Sequence, residues 1–228
     1  MLEEREDGFR GWLLDRGLSE NTARTYAQAV NGIWPNDPSG WLRRQAPGMA
    51  RSSTRVYRAA VRRWIEFNGK DPGKFSLSFP VRKSPRRVPT PLTHGQLEAF
   101  LARARKLEPP FRTIFVLLPA TGLRISEMCA LRFSQLERRN KRVALVFRGK
   151  GDNERRVYLP RGAERELIAQ LKRTRTRTKK APWIFDGYKN SHLSPERVRQ
   201  KMRELSSQLG LRVTPHLLRH TFATRLHE

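Results

Sequence analysis

Residues 120–132, ATGLRISEMCALR, mark the point where one helix ends and another begins around a single glycine. The apolar run FRTIFVLL at residues 111–118 predicts a buried helix just before them. Gly122 interrupts this helix, because glycine adopts backbone conformations that other residues avoid and carries no side chain. We therefore expect a tight approach between the start of the second helix, over residues 124–131, and another part of the chain.

Arg124 and Glu127 lie on one face of this second helix, since they are three residues apart. An arginine and a glutamate at this spacing usually form an exposed ion pair of little energetic consequence. Taken alone, the pair therefore predicts no particular function.

A β-hairpin is predicted further along the chain, in VFRGKGDNERRVYLP at residues 146–160. Residues 143–148 and 155–159 alternate as strands around a Gly-rich turn. Lys150 stands at the tip between two glycines, which leave its long side chain room to reach a partner. On this pattern alone, an ordinary polar turn is the favoured interpretation.

The segment TPHLLRHTFATRLHE at residues 214–228 carries two histidines and an arginine close together. The threonine and proline that open it predict a helix start, as an N-cap followed by proline at the first helical position. His216, Arg219 and His220 then share one face of the helix. Their donors suit a phosphate oxyanion, whereas the guanidinium beside the histidines makes a metal site unfavourable.

The first 70 residues predict a compact helical domain. Helices are expected as a pair over residues 8–33 with Ser19 as an N-cap, over residues 39–46, and from Ser52 or Ser53 to Phe67.

A Pro-rich segment follows at residues 71–92, and a helix cannot run through its prolines. Its middle is basic, with Arg82, Lys83, Arg86 and Arg87. The segment predicts an extended linker that lies along a phosphate backbone, and a linker that is merely soluble is the alternative.

The remainder of the chain is predicted to be mostly helical. Further helices are expected over residues 93–105, 161–173 and 194–208, with a basic loop over 172–180 and a short strand over 183–185. The predicted fold class is therefore mainly α with a small β-hairpin or sheet.

The chain has 228 residues and a formal net charge of +26, which is unevenly distributed. Residues 1–70 have a net charge of +4, whereas residues 71–228 have a net charge of +22. A solvated surface normally interleaves both signs, so the second region favours contact with nucleic acid.

Composition also excludes several classes of protein. Cys129 is the only cysteine, which excludes a disulfide scaffold and a Cys-based zinc site. The sequence has no apolar run long enough to span a membrane, and its start, MLEEREDGFR, is unlike a signal peptide. These features predict an intracellular, soluble protein, and its excess positive charge predicts nucleic acid as its partner.

The segments at residues 120–132, 146–160 and 214–228, in this order, resemble the tyrosine recombinase (phage integrase) family, and within it the Xer-type enzymes. GLSENTARTYAQAV at 17–30 and SSTRVYRAAVRRWIEF at 52–67 are similar to the family's helical, SAM-like core-binding domain. PVRKSPRRVPTPLTHGQLEAF at 80–100 resembles its linker and first catalytic helix. The resemblance covers nearly the whole chain and implies a DNA-binding domain at 1–70 and an α+β catalytic domain at 93–228.

The resemblance assigns roles to residues by their position. Four of them resemble the family's catalytic residues: the first arginine Arg124, the hairpin lysine Lys150, and His216 and Arg219 of an H-x-x-R box. Two more, Glu127 and His220, resemble supporting residues. The basic residues of the linker, together with Arg148 and Arg155 of the hairpin, are expected to contact DNA.

The family's chemistry explains these residue types. Its members attack a DNA phosphodiester with a tyrosine hydroxyl, which gives a 3′-phosphotyrosine and a free 5′-hydroxyl. Two arginines stabilise charge on the non-bridging oxygens, while lysine and histidine assist proton transfer. The covalent intermediate stores the bond energy, so no metal or other cofactor is expected. The implied partner is double-stranded DNA, with a homotetramer on DNA for the complete protein.

The sequence departs from the family at the nucleophile. All four tyrosines, Tyr26, Tyr57, Tyr158 and Tyr188, precede the H-x-x-R box, whereas the family's nucleophile follows it. The chain is therefore a truncated active recombinase, a natural remnant that binds DNA without cutting it, or a protein whose nucleophile comes from another polypeptide. The lack of a helix stop signal before Glu228 favours truncation. A basic RNA-binding protein is a weaker rival, because no single-strand binding motif is present.

Overall fold

The computed structural model describes residues 2–31, 37–45, 49, 51–78, 90–139, 142–148, 154–177, 182–189 and 191–226. The chain divides into two compact units, Met1–Arg87 and Val88–Glu228. Their boundary falls within the segment that the sequence predicts to be a linker. In the described part of the chain, no helix is both long and apolar enough to cross a membrane.

The first unit consists of helices. These are α1 (Leu2–Asp15), α2 (Glu20–Val30), α3 (Pro38–Gln45) and α4 (Arg51–Phe67), followed by a 3-10 turn at Pro72–Lys74. The predicted N-cap of α2 is present, since the Thr22 N–H donates to Ser19 Oγ at 3.3 Å.

Aromatic packing holds the first unit together. The fully buried Phe9 ring lies 5.1 Å from the Trp64 ring in an edge-on contact and 5.4 Å from the Phe67 ring. These residues bring α1 against α4, and the small residues Ala23 and Ala27 let α2 join the same core. Apolar burial is therefore the main source of this unit's stability.

The second unit combines helices with one small sheet. Its helices are α5 (His94–Ala104), α6 (Phe111–Thr121), α7 (Ile125–Cys129), α8 (Arg161–Arg177), α9 (Pro195–Gln208) and α10 (Pro215–Arg225). Its antiparallel strands are β1 (Leu136–Arg139), β2 (Arg142–Arg148) and β3 (Glu154–Tyr158), in the order β1-β2-β3. The predicted fold class, mainly α with a small β-sheet, is confirmed.

Helix α6 lies at the centre of this unit. Residues 114–118 are all buried, and α6 packs against α5, α7, α8 and α10. A helix that is apolar on every side fits only where neighbours surround it, which explains the FRTIFVLL run.

One predicted helix end is confirmed and another was wrong. Helix α6 ends at Thr121 with Gly122 as its C-cap, as predicted, three residues beyond the apolar run that ends at Leu118. The buried Thr121 hydroxyl donates to the Leu117 carbonyl at 2.8 Å in its last turn. Helix α8 extends through residues 172–177, which the sequence predicted as a basic loop. Thr174 holds this extension in place, since its buried hydroxyl donates to the Ile184 carbonyl at 2.7 Å.

The β structure also differs in two places from the prediction. Strand β1 was missed, because LERR is short and carries only one apolar residue. The predicted strand at 183–185 is instead a loop with two isolated bridges, Arg132 to Trp183 and Asp186 to His192. Both segments owe their conformation to neighbouring strands and loops rather than to a local pattern.

Candidate active site

Gly122 lies where α6 ends, and α10 packs directly against it. Its φ of +61° is in the left-handed region, which favours glycine. A Cβ at this position would lie 2.2 Å from Cδ1 of Phe222, on α10. The close approach predicted from the sequence is therefore confirmed, and α10 is the element that makes it.

The same contact fixes Arg219 on α10. Its Nη1 donates to the Gly122 carbonyl at 2.5 Å, although the two residues are 97 positions apart. The half-buried guanidinium is thus held beside the start of α7.

Helix α10 is anchored at its start and along its buried side. The Leu217 N–H donates to the hydroxyl of the N-cap residue Thr214 at 3.1 Å. The buried Thr221 hydroxyl accepts the Leu92 N–H at 3.0 Å and donates to the Leu217 carbonyl at 2.9 Å. These bonds fix the position along α10 from which Arg219 projects.

Arg124 occupies the N-cap position of α7 and is held by Glu127. Its backbone N–H donates to Glu127 Oε2 at 2.7 Å, and its Nη1 donates to Glu127 Oε1 at 2.9 Å. The Arg124 side chain is still 59% exposed. The guanidinium is therefore oriented from one side and open on the other, as a ligand-binding cation requires.

The Glu127 carboxyl has a pKa below its ordinary value of 4.5. Burial acts in the opposite direction and raises it, but the hydrogen bonds from the Arg124 backbone and side chain outweigh burial, with the charges of Arg124 and Arg155 adding to them. Glu127 is thus an ionised anchor for Arg124 at neutral pH.

The other predicted site residues are placed as follows. His216 is exposed in the first turn of α10, and His220 is half-buried beside Arg219 in its second turn. Arg148 ends β2. Lys150 and the linker residues Arg82, Lys83, Arg86 and Arg87 lie outside the described residues.

Comparison with known proteins assigns this arrangement to a family. The sequence profile of the phage integrase family matches residues 91–228. Tyrosine recombinase XerA of Pyrococcus furiosus is 31% identical over 239 residues, covering 100% of this chain and 80% of the relative. XerA of Thermococcus onnurineus is 32% identical over 240 residues, covering 100% of this chain and 82% of the relative.

The chain belongs to the phage integrase family. It is an Xer-like tyrosine recombinase, as its resemblance in sequence predicts. Its fold is similar to that of the XerH site-specific recombinase bound to palindromic difH substrate in a post-cleavage complex. That similarity has a TM-score of 0.71 at 22% identity and covers 93% of this chain and 70% of XerH.

The recombinase also has a contact that the sequence analysis missed. Arg155 Nη2 lies 3.7 Å from Glu127 Oε2, and the Arg155 guanidinium lies 5.4 Å from the centre of the Phe147 ring. The signal was present in the alternation of β3, which places Arg155 on the same sheet face as Val157.

The second unit also contains a buried cysteine and a cavity. Burial raises the pKa of the Cys129 thiol to about 12, with Arg199 acting weakly in the other direction, so Cys129 stays protonated as a core residue. Among the described residues, no cluster of His, Cys, Asp or Glu could hold a metal ion. A cavity of about 760 Å³ between α5, α6 and α8 has Leu97, Val116 and Ala163 among its lining residues, and neither Arg124 nor Arg219 lines it.

Proposed function

We propose that this recombinase cleaves and rejoins double-stranded DNA at a specific site, through a 3′-phosphotyrosine intermediate. The observation that carries the proposal is the convergence of Arg124 and Arg219 on one helix junction. Glu127 orients the first arginine, and the Gly122 carbonyl holds the second. Two guanidinium groups anchored at the same helix junction suit the two non-bridging oxygens of a phosphodiester.

Each catalytic residue then has a separate task. Arg124 and Arg219 stabilise the charge that builds on the phosphate oxygens in the transition state. Lys150 donates a proton to the leaving 5′ oxygen, and His216 binds the phosphate or assists proton transfer. Glu127 orients Arg124, and His220 supports Arg219 as its neighbour on α10.

On this proposal, the chain has two DNA-binding domains joined by a linker that also contacts DNA. Residues 1–70 are the core-binding domain, residues 71–92 a basic linker and residues 93–228 the catalytic domain. The net charge of +22 on residues 71–228 supports this arrangement. DNA contacts are assigned to Arg82, Lys83, Arg86 and Arg87 in the linker and to Arg148 in the hairpin. The complete protein is proposed to act as a homotetramer on DNA and to be cytoplasmic and associated with DNA.

The nucleophilic tyrosine is proposed to lie outside these 228 residues. Tyr158 and Tyr188 are well exposed, at 48% and 80%, but both precede the H-x-x-R box, as do Tyr26 and Tyr57. This observation also keeps a second candidate function open, a DNA-binding remnant of a recombinase that no longer cuts.

A suicide substrate separates the two functions. The protein expressed from its complete reading frame is incubated with a nicked duplex site that traps the covalent adduct. An adduct supports the recombinase, and binding without adduct supports the remnant. Both predict a steep loss of affinity between about 50 and 200 mM salt, because phosphate contacts release counterions.

Variants then test the assigned residues in the same assay. Arg124→Ala, Arg219→Ala and Lys150→Ala should each lower the rate of adduct formation by about 10²- to 10³-fold while most DNA binding remains. Arg156→Gln is the control for loss of one exposed positive charge, since Arg156 pairs with Glu137 and Glu154 instead. Wild-type rates in all three alanine variants contradict the assignment.

A further inference from the structure

Two adjacent arginines on β3 have different partners. Arg155 and Arg156 are almost equally exposed, at 45% and 43% of the side chain. They point to opposite faces of the sheet, because successive strand residues alternate. Arg156 bonds to Glu137 at 3.0 Å and pairs with Glu154 at 2.6 Å. Its partners therefore belong to the sheet itself.

Arg155 points instead toward α7. Its Nη2 lies 3.7 Å from Oε2 of Glu127, the same oxygen that accepts the backbone N–H of Arg124. Its guanidinium also lies over the ring of Phe147, its partner across the β2–β3 ladder. Arg155 thus joins the end of the hairpin to the carboxylate that holds Arg124.

The position of Arg155 along the hairpin gives this contact its meaning. The last paired residues of the ladder are Arg148 and Glu154. Residues 149–153, which connect the strands in sequence, include Lys150. Arg155 is one residue inside the ladder, so its link to Glu127 restrains the end of the two strands that residues 149–153 connect in sequence.

We propose that Arg155 is a positioning residue, which fixes the lysine-bearing hairpin relative to Arg124 through the shared Glu127 carboxylate. The proposal rests on the proposed function and deepens it. It replaces the phosphate contact predicted for Arg155, because its guanidinium is engaged by a carboxylate and an aromatic ring.

The chemistry of the leaving group provides a direct test. In the cleavage step, the tyrosine oxygen forms a bond to phosphorus and the P–O5′ bond breaks. The tyrosine proton passes to His216 or to water, and Lys150 gives a proton to the leaving 5′ oxygen. With sulfur in place of that oxygen, the leaving group departs as a thiolate and needs no proton, because thiols are far more acidic than alcohols.

The experiment compares both substrates in the protein expressed from its complete reading frame. Arg155→Gln should slow cleavage of the oxygen substrate by about 10- to 100-fold, since a small displacement of a catalytic group has effects of that size. The sulfur substrate should be cleaved within about threefold of the wild-type rate, because it does not use the lysine. Arg155→Lys should be intermediate on oxygen, and Arg156→Gln should change neither rate.

Two results would overturn the proposal. Equal slowing on both substrates would show that Arg155 does not act through the lysine, and an unchanged rate on oxygen would show that it has no positioning role. Failure of the proposed function is recognised separately. In that case the wild type forms no adduct, or the cleavage activity lost in Lys150→Ala is not selectively restored on the sulfur substrate.

A second measurement uses the 228-residue chain itself and does not depend on the nucleophilic tyrosine, because no DNA is cleaved. Arg155→Gln should raise the pKa of the Glu127 carboxyl, and a pH titration monitored by carbon-13 NMR measures this change. Arg156→Gln should leave the pKa of Glu127 unchanged. The variant's salt dependence of DNA binding should equal that of the wild type. A phosphate contact would instead reduce the slope of log affinity against log salt by about 1, and that result would restore the DNA-binding role.

Discussion

Helices α7 and α10 both present an arginine to the active site, yet they begin in different ways. At α10, Thr214 provides the cap, and Arg219 follows one turn later. At α7, the N-cap residue is Arg124 itself, and Glu127 accepts its backbone N–H. The neutral cap of α10 therefore stabilises its helix without involving the proposed phosphate-binding arginine, whereas at α7 the proposed phosphate-binding arginine is itself the cap residue.

This difference shows which parts of the site can change independently. A substitution at Thr214 alters the stability of α10. Arg219, on the same helix, keeps its hydrogen bond to the Gly122 carbonyl. A substitution at Glu127 removes a cap and an orienting carboxylate together. Stability and catalysis should therefore separate at α10 and remain coupled at α7.

The largest expected effect lies at Gly122, where α6 ends and Phe222 of α10 packs against it. Gly122→Ala should lower the free energy of unfolding by about 2–5 kcal/mol, because a side chain meets both the left-handed backbone and the Phe222 ring. Urea denaturation of the 228-residue chain measures this value. The double variant Gly122→Ala/Phe222→Leu should recover part of the loss, since a leucine can move away but the backbone strain stays.

The matched control is Gly162→Ala in α8. No atom lies within 4 Å of the position that its Cβ would take. This variant should be neutral or slightly stabilising, by up to about 1 kcal/mol. A Gly122→Ala protein as stable as this control would mean that the junction is loose enough to accommodate a side chain.

A smaller effect is expected at the cap of α10. Thr214→Ala should lower the free energy of unfolding by about 1 kcal/mol, because the Leu217 N–H loses its acceptor. Cleavage by the folded protein should stay within about twofold of wild type, since Arg219 keeps its carbonyl partner. Thr214→Ser should restore the stability. A large loss of cleavage in Thr214→Ala, at full folding, would place the cap inside the catalytic machinery.

Sequence reasoning predicted the elements of this site better than their connections. Local signals are strong at Ser19, Thr93, Ser194 and Thr214, and each of these residues accepts a backbone N–H at its helix start. Gly122 was informative for the same reason, because a glycine that interrupts an apolar helix predicts from the local sequence where that helix ends. The fold class followed from such local signals combined with family resemblance.

The parts that could not be predicted depend on partners distant in sequence. Nothing in KRTRTR predicts a helix, and α8 continues through it with contacts to distant residues, among them the bond from the Thr174 hydroxyl to the Ile184 carbonyl. The pairing of Arg155 with Glu127 spans α7 and β3 in the same way. Alternation along β3 indicates the face on which Arg155 lies but not the carboxylate that it meets.

The smallest expected effect lies at Glu127, and it distinguishes the start of α7 from that of α10. The carboxyl of Glu127 titrates in acid, whereas the hydroxyl of Thr214 does not. The pKa of Glu127 is lower in the folded protein than its ordinary value of 4.5. Its contribution to stability is therefore present above that value and lost as the pH falls through the lowered pKa. Glu127→Gln should lower the free energy of unfolding at about pH 7 by less than about 1 kcal/mol, and this difference from wild type should shrink as the pH falls below 4.5 and through the lowered pKa. The cost of Thr214→Ala should stay constant over the same range, since a hydroxyl does not ionise there. Urea denaturation of both variants at several pH values measures the two differences, and a pH-independent cost of Glu127→Gln would show that its carboxylate charge does not stabilise the start of α7.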